Sequence, residues 1–239
     1  MKAIILCAGL GSRLNSKKPK GFIVINNKTL LERCVKNLIS VGFKKKDIFF
    51  STGFKKNLVL KKFGKNFNYS FNQYYKVTNM VYTLFNTLKS INDSDVIITY
   101  SDIIYDKANI KRLLNQRSDI STLVDFKWKK IWIKKKKLLS DSESLKIKKN
   151  KIIELGKPTK DIKKIDGRYV GVIKMSKNIL PDIKDLYWKS LEKNSSKFKK
   201  IDMTNFLNFL IKKRYDLNYV KLSGNWNEYD DFVDLNYKF

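Results

Sequence analysis

No histidine occurs in the 239 residues, and that single absence removes several chemistries. Ser–His–Asp hydrolysis, histidine-bound metal catalysis and phosphotransfer through an imidazole all need a side chain that is not here. Cysteine is almost as scarce. Cys7 and Cys34 are the only two, too few for a disulfide framework and not spaced as metal ligands, so a reducing, intracellular setting is expected. No apolar run is long enough to span a bilayer. The opening MKAIILCAGLG has one lysine and a short apolar stretch, but Gly9, Gly11 and Arg13 interrupt it early and no small-residue cleavage site follows. The expectation is a cytoplasmic protein without a membrane partner.

Acids are the other shortage. Lys and Arg number 51 against 22 Asp and Glu, a formal net charge of +29. Such an excess can mark a nucleic-acid or acidic-membrane partner. The lysines are scattered rather than gathered into a stripe, and Lys, Asn, Ile, Phe and Tyr are frequent together, as an A/T-rich coding sequence produces. Codon bias is therefore the reading adopted, and nucleic acid is not the expected partner. The competing reading is a basic RNA- or DNA-binding protein, for which the lysines interleaved with aromatic residues at 125–137 (DFKWKKIWIKKKK) are the local support. A positive surface also draws nucleotides and phosphorylated substrates by its long-range field.

What is present suits one α/β domain: 43% of residues are hydrophobic, enough for a full core. The run KAIILC at 2–7 reads as a buried parallel strand. Helical spacing follows at 29–41, where Thr29 and Glu32 are placed for a capping box. Strands are predicted at 47–51, 67–71, 95–100 and 119–125, and helices at 55–64, 79–91 and 107–116. This alternation predicts a parallel sheet with helices on both faces. Strand signals recur at 145–155, 168–175 and 217–222, with helices at 178–193 and 203–213, while the four lysines at 134–137 read as a solvated loop or hairpin tip.

Three segments carry chemistry. In the first, Leu6, Cys7, Ala8, Gly9, Leu10, Gly11, Ser12, Arg13 and Leu14 are followed by Pro19 and Lys20. A glycine-rich turn directly after a buried strand lets backbone N–H groups approach a triphosphate. Arg13 adds a fixed cationic fork and Lys20 a mobile charge, suited to the negative charge that develops at an α-phosphate under attack. In the second, Ser101 and Asp102 stand at the carboxyl end of a strand, where an open α/β sheet places ligands, and Asp102 is suited to hold Mg²⁺ against phosphate oxygens. The third is Gly224 to Asp231, with Glu228, Asp230 and Asp231.

The first string resembles the signature of the nucleotidyltransferase superfamily that includes sugar-1-phosphate nucleotidylyltransferases and small-molecule cytidylyltransferases. It is neither a Walker loop, because GKS or GKT is absent, nor a dinucleotide fingerprint, because position 14 is leucine. The segment from Asn72 to Tyr82 is similar to the N-x-x-Y-x-x-x-N stretch of phosphocholine-type cytidylyltransferases, and Ser51-Thr52-Gly53-Phe54 occupies the place of that group's turn beside the base. The later series DFKW, DSESLKI, IIELGK, YVGVIKMS and GNWNEYD looks like the cytidylyltransferases that act on phosphonates or on phosphoglutamine in capsule biosynthesis.

The resemblance implies a Rossmann-like, mostly parallel mixed sheet with a nucleotide-binding half at 1–125 and an acceptor-binding half at 126–239. It implies Arg13 and Lys20 as catalytic cations, and Leu6, Ala8, Gly9, Gly11, Ser12, Gly53, Asn79 and Ser101 around the nucleotide. Asp102 and Asp230 would hold Mg²⁺, with Asp231 as the rival second carboxylate. Asp125, Glu154, Lys157, Gly171 and Glu228 would lie near the acceptor. The reaction implied is transfer of CMP from CTP to a small phosphorylated or phosphonate metabolite by a monomer or homodimer. Sugar-1-phosphate uridylyl or thymidylyl transfer, which shares the chemistry, stays open, and so does a catalytically silent relative.

Overall fold

The computed structural model describes residues 1–11, 18–135 and 142–236. The first strand, β1 (Lys2–Cys7), is apolar on both faces and lies between two parallel partners. A hairpin of β2 (Val24–Ile25) and β3 (Lys28–Thr29) leads into α1 (Leu30–Ser40). Thr29 caps this helix: its hydroxyl accepts from the Glu32 amide at 3.1 Å, and the Glu32 carboxylate accepts from the Thr29 amide at 2.8 Å. Two donors that a helix start leaves open are thereby satisfied. Then come β4 (Ile48–Thr52), α2 (Lys56–Phe63), β5 (Asn68–Phe71), α3 (Met80–Leu88), β6 (Val96–Tyr100), β7 (Ile103–Tyr105), α4 (Lys107–Leu114) and β8 (Ile120–Asp125). The remaining elements are α5 (Trp128–Lys134), β9 (Glu143–Lys148), β10 (Lys151–Pro158), β11 (Arg168–Met175), α6 (Leu180–Lys193), α7 (Ser195–Lys200), α8 (Met203–Lys212), β12 (Leu217–Lys221), β13 (Trp226–Glu228) and α9 (Phe232–Leu235).

Nine strands form one sheet in the order β5-β4-β1-β6-β11-β8-β12-β10-β9. The strands β5, β4, β1 and β6 run parallel, as the strand–helix alternation requires. The parallel set ends at β11, which enters antiparallel to both β6 and β8. The sheet is therefore mixed, and it continues without a break from β8 into the strands of the second half of the chain.

Side chains of β1 alternate between two cores, as the two-residue period of a strand dictates. Ala3 and Ile5 join Leu31, Leu38, Val59 and Ile110 on the face covered by α1, α2 and α4. Ile4 and Leu6 join Leu84, Ile183, Tyr187 and Phe206 under α3, α6 and α8. Both faces are covered, which explains why β1 reads as an uninterrupted apolar run.

One expectation needs correction. The lysines at 134–137 do not make a solvated loop from their start: Lys134 ends α5, and Lys135 is buried with its ammonium 2.7 Å from Asp234. Lys136 and Lys137 lie outside the described residues. Residues 226–228, within a polar stretch, form β13 and pair antiparallel with β7. Among the described residues no helix is long and apolar enough to cross a membrane.

Candidate active site

A cavity of about 550 Å³ opens at the carboxyl ends of β1 and β6, the edge where open α/β sheets receive ligands. Because β11 runs antiparallel to β6, its first residues, Arg168 to Gly171, reach the same edge. The starts of α3 and α8, the start of β9 and the end of β13 complete the wall.

On the β1 side the wall contains Leu6, Ala8, Gly9 and Gly11, then Pro19 and Lys20. Ser12 and Arg13 lie outside the described residues. Gly53 stands behind this loop rather than in the wall. A Cβ there would sit 2.6 Å from the Tyr75 Cβ and 2.8 Å from the Ala8 carbonyl, and the adjacent Phe54 amide donates to that carbonyl at 3.1 Å. Gly53 thus lets β4 close on the segment after β1, and it supports that segment from behind. Asn79 does line the cavity, as the N-cap of α3. Its amide is used within the protein, with Oδ1 accepting from the Met80 amide at 2.7 Å and Nδ2 donating to the Lys200 carbonyl at 3.1 Å.

Ser101 and Asp102 follow β6 into the wall, and Asp230 approaches from the segment after β13. Both carboxylates converge on Lys20: its ammonium is 3.6 Å from Asp102 Oδ2 and donates a direct hydrogen bond to Asp230 Oδ1. Burial pushes the Asp102 carboxyl above its ordinary range, and the Lys20 charge opposes that rise. An ammonium between two carboxylates marks a point where the protein already concentrates negative charge on one cation. Two carboxylates with space for phosphate oxygens suit a hard divalent cation such as Mg²⁺. Asp231 is placed differently, outside the cavity wall, where its Oδ1 caps α9 by accepting from the amides of Val233 and Asp234.

The acceptor-side expectations divide. Glu228 and Gly171 line the cavity. At Gly171 the backbone is left-handed, φ +84°, and a Cβ would lie 2.7 Å from Tyr100 Cδ2, so only glycine leaves room for that ring. Asp125, Glu154 and Lys157 do not line it. Asp125 is buried beneath, accepting from the Trp226 indole at 2.7 Å and from the Lys127 amide at 2.7 Å. Glu154 and Lys157 bond to each other on the outer side of β10; the residues between them, Leu155 and Gly156, reach the cavity.

Arg168 is the residue that sequence reasoning missed. Its guanidinium lies 3.7 Å from the centre of the Trp132 ring and 3.8 Å from Glu228 Oε2. Trp132 in turn stacks on Trp226 with centroids 5.6 Å apart, and Trp226 is held by Asp125. A column of Arg168, Trp132, Trp226 and Asp125 therefore fixes the guanidinium at the wall, by cation–π contact and stacking. One signal was available: the chain has six arginines among 51 basic residues, so an arginine kept against that bias is informative. Tyr100 and Tyr169 meet edge to face in the same wall, and burial pushes both phenols up, so both stay neutral hydrogen-bond donors.

The wall inverts the charge of the molecule. Asp102, Glu143, Asp202, Glu228 and Asp230 face Lys20 and Arg168 among the described lining residues, in a chain with more than twice as many bases as acids.

A family model described as the MobA-like NTP transferase domain matches residues 3–153. The chain is 34% identical to CTP:phosphoglutamine cytidylyltransferase of Campylobacter jejuni, with 98% of each sequence covered. Two solved structures resemble the fold at 19% identity. One is the inositol-1-phosphate CTP transferase from T. maritima, with a TM-score of 0.75 over 98% of this chain and 91% of that one. The other is CTP:phosphocholine cytidylyltransferase from Streptococcus pneumoniae, with a TM-score of 0.69 over 98% and 96%. The glycine-bearing segment after β1, Lys20 and Asp102 all fall within the matched residues, and with the full-length likeness to the Campylobacter jejuni enzyme they lead to one conclusion: the chain belongs to the MobA-like NTP transferase family.

Proposed function

We propose that this protein is a Mg²⁺-dependent cytidylyltransferase that moves CMP from CTP to the phosphate of a small amine-bearing metabolite, phosphoglutamine being the leading candidate. The observation that carries the reading is the convergence of Asp102 and Asp230 on Lys20 at the cavity edge. The Campylobacter jejuni relative, alike over 98% of both chains, supports CTP as donor and phosphoglutamine as acceptor. The motif series shared with capsule-type cytidylyltransferases extends the proposal to capsule decoration and a cytoplasmic enzyme.

The acceptor phosphate is already anionic at neutral pH, so attack on the α-phosphorus needs no general base, and pyrophosphate leaves in line. Catalysis then rests on positioning and charge neutralisation. The turn after β1 would hold the triphosphate, with residues 1–125 forming the nucleotide half and 126–239 the acceptor half. Lys20 and Arg13 would neutralise charge at the α-phosphate. Asp102 and Asp230 would hold Mg²⁺, which would supply positive charge to offset the phosphate charge that the attacking oxygen meets. Arg168 would take an anionic group of the acceptor, its phosphate or a carboxylate. The amine-bearing acceptor rests on the Campylobacter jejuni relative; of the other wall acids, Glu228 pairs with Arg168 and Asp202 caps α8.

The test is pyrophosphate release with four NTPs against phosphoglutamine, phosphocholine, aminoethylphosphonate and glucose 1-phosphate. Release is expected with CTP and an amine-bearing acceptor, and Lys20→Ala and Asp102→Asn should each lower kcat about 10²-fold or more. Release with UTP or dTTP and a sugar phosphate would move the protein to the sugar-nucleotide branch.

A further inference from the structure

The only buried lysine–carboxylate pair with both side chains below 3% exposure among the described ion pairs lies beside the site, not in it. Lys135 and Asp234 are 1% and 2% exposed, with 2.7 Å between Nζ and Oδ1. Taking two charges out of water is expensive unless each is also hydrogen-bonded, and here both are. Asp234 Oδ2 accepts from the Asp230 amide at 2.7 Å and the Asp231 amide at 3.1 Å. Lys135 Nζ donates to the Glu228 carbonyl at 3.1 Å. One more tie, from the Tyr229 amide to the Asp102 carbonyl at 2.9 Å, joins this segment to the end of β6.

Apart from the Asp102 carbonyl, every backbone group named belongs to the four residues 228–231. The pair therefore grips, from behind, the short segment whose Asp230 side chain reaches Lys20 in the cavity. From this geometry we infer that Lys135 and Asp234 are positioning residues that set the Asp230 carboxylate for the divalent cation. Neither is among the residues that line the cavity. Residues around a metal ligand that fix its orientation commonly change metal affinity 10–100-fold when removed. The inference explains why a lysine from a run that looks solvated is instead buried. It rests on Asp230 being a metal-bearing carboxylate, so the experiment must separate the two claims.

Mn²⁺ binding to the full-length protein with CTP and no acceptor, followed by electron paramagnetic resonance, reads metal affinity without turnover. Asp230→Asn should weaken it at least tenfold. The double variant Lys135→Met/Asp234→Asn, which removes both buried charges together, should weaken it about 10–100-fold. In that variant CTP affinity in EDTA should stay within about twofold of wild type, and Lys135→Arg, which keeps the charge, should retain most of the metal affinity. If Asp230→Asn weakens Mn²⁺ binding while the folded double variant binds like wild type, the positioning role is overturned. If Asp230→Asn binds Mn²⁺ normally, the metal assignment falls and the inference with it. Should the double variant not fold, hydrogen exchange of the wild type decides: slow exchange at the Asp230 and Asp231 amides is expected, and exchange as fast as at open-loop amides overturns the grip.

Discussion

Arg168 and the pair Glu154 with Lys157 begin as equally unremarkable charges in a lysine-rich chain. Position separates them. Arg168 opens β11 at the cavity edge with its guanidinium on Trp132. Glu154 and Lys157 flank Leu155 and Gly156, which turn inward, so the charged ends face away. Side chains on a strand alternate sides, and the register breaks in β10 at 152–158 shift that alternation in a way the sequence does not display. Exposed ion pairs contribute about 0–1 kcal/mol. Glu154→Ala and Lys157→Ala should therefore leave kcat/KM within about twofold and change stability by no more than about 1 kcal/mol. Arg168→Lys, which keeps the charge but loses the planar stacked fork, should lower kcat/KM about tenfold or more. Steady-state kinetics on the three variants, with chemical denaturation, checks both statements.

The start of α1 was legible at the level of elements because its signal is local: a threonine, a glutamate three residues on and apolar residues at helical spacing. The hydrogen bonds of the Glu32 carboxylate, first to Lys62 and then to Thr29, lower its pKa from 4.5 to about 2. The folded value lies below the unfolded one. The carboxylate thus stabilises the fold fully above about pH 4.5, and that contribution is lost as pH falls through about 2. Glu32→Gln is expected to lower Tm at pH 7 by about 1–2 °C, the scale of an exposed charged contact. The gap to wild type should close as the pH falls toward 2.5, which thermal melts across that range would show. The helix α5 was not legible in the same way. Its sequence, WKKIWIK, sets three lysines among four apolar residues, and only the walls around it decide that Trp128 and Trp132 are buried.

Across the whole molecule, the +29 charge and the acidic cavity belong together. A positive exterior attracts anionic ligands by its long-range field, and under the proposed reaction the carboxylates within would receive the metal. The covered sheet has a further consequence. Cys7 and Cys34 are buried on the same side, and burial holds both thiols protonated, Cys34 pushed up to about 12 and Cys7 higher. A thiol without thiolate is a poor nucleophile. The native protein at pH 8 should leave a thiol-specific chromogenic disulfide unreacted over minutes, and two thiols should react at once in guanidinium. Fast reaction of the native state would show that the sheet opens readily.

Resemblance alone set Asp230 ahead of Asp231, whereas the sequence by itself determined the parallel half of the sheet and marked the glycine-bearing segment after β1, Lys20 and Asp102. These signals are local: apolar runs, a glycine-bearing turn and short motifs state their own conformation within a few residues. Only the tertiary structure decided which acids enter the wall, that Asp125 holds Trp226, that Arg168 stands on Trp132, and that Lys135 is buried against Asp234. Each of these pairings joins residues 36 to 101 positions apart in the chain, and whether a charge is solvated or buried depends on what the rest of the fold brings to its other side.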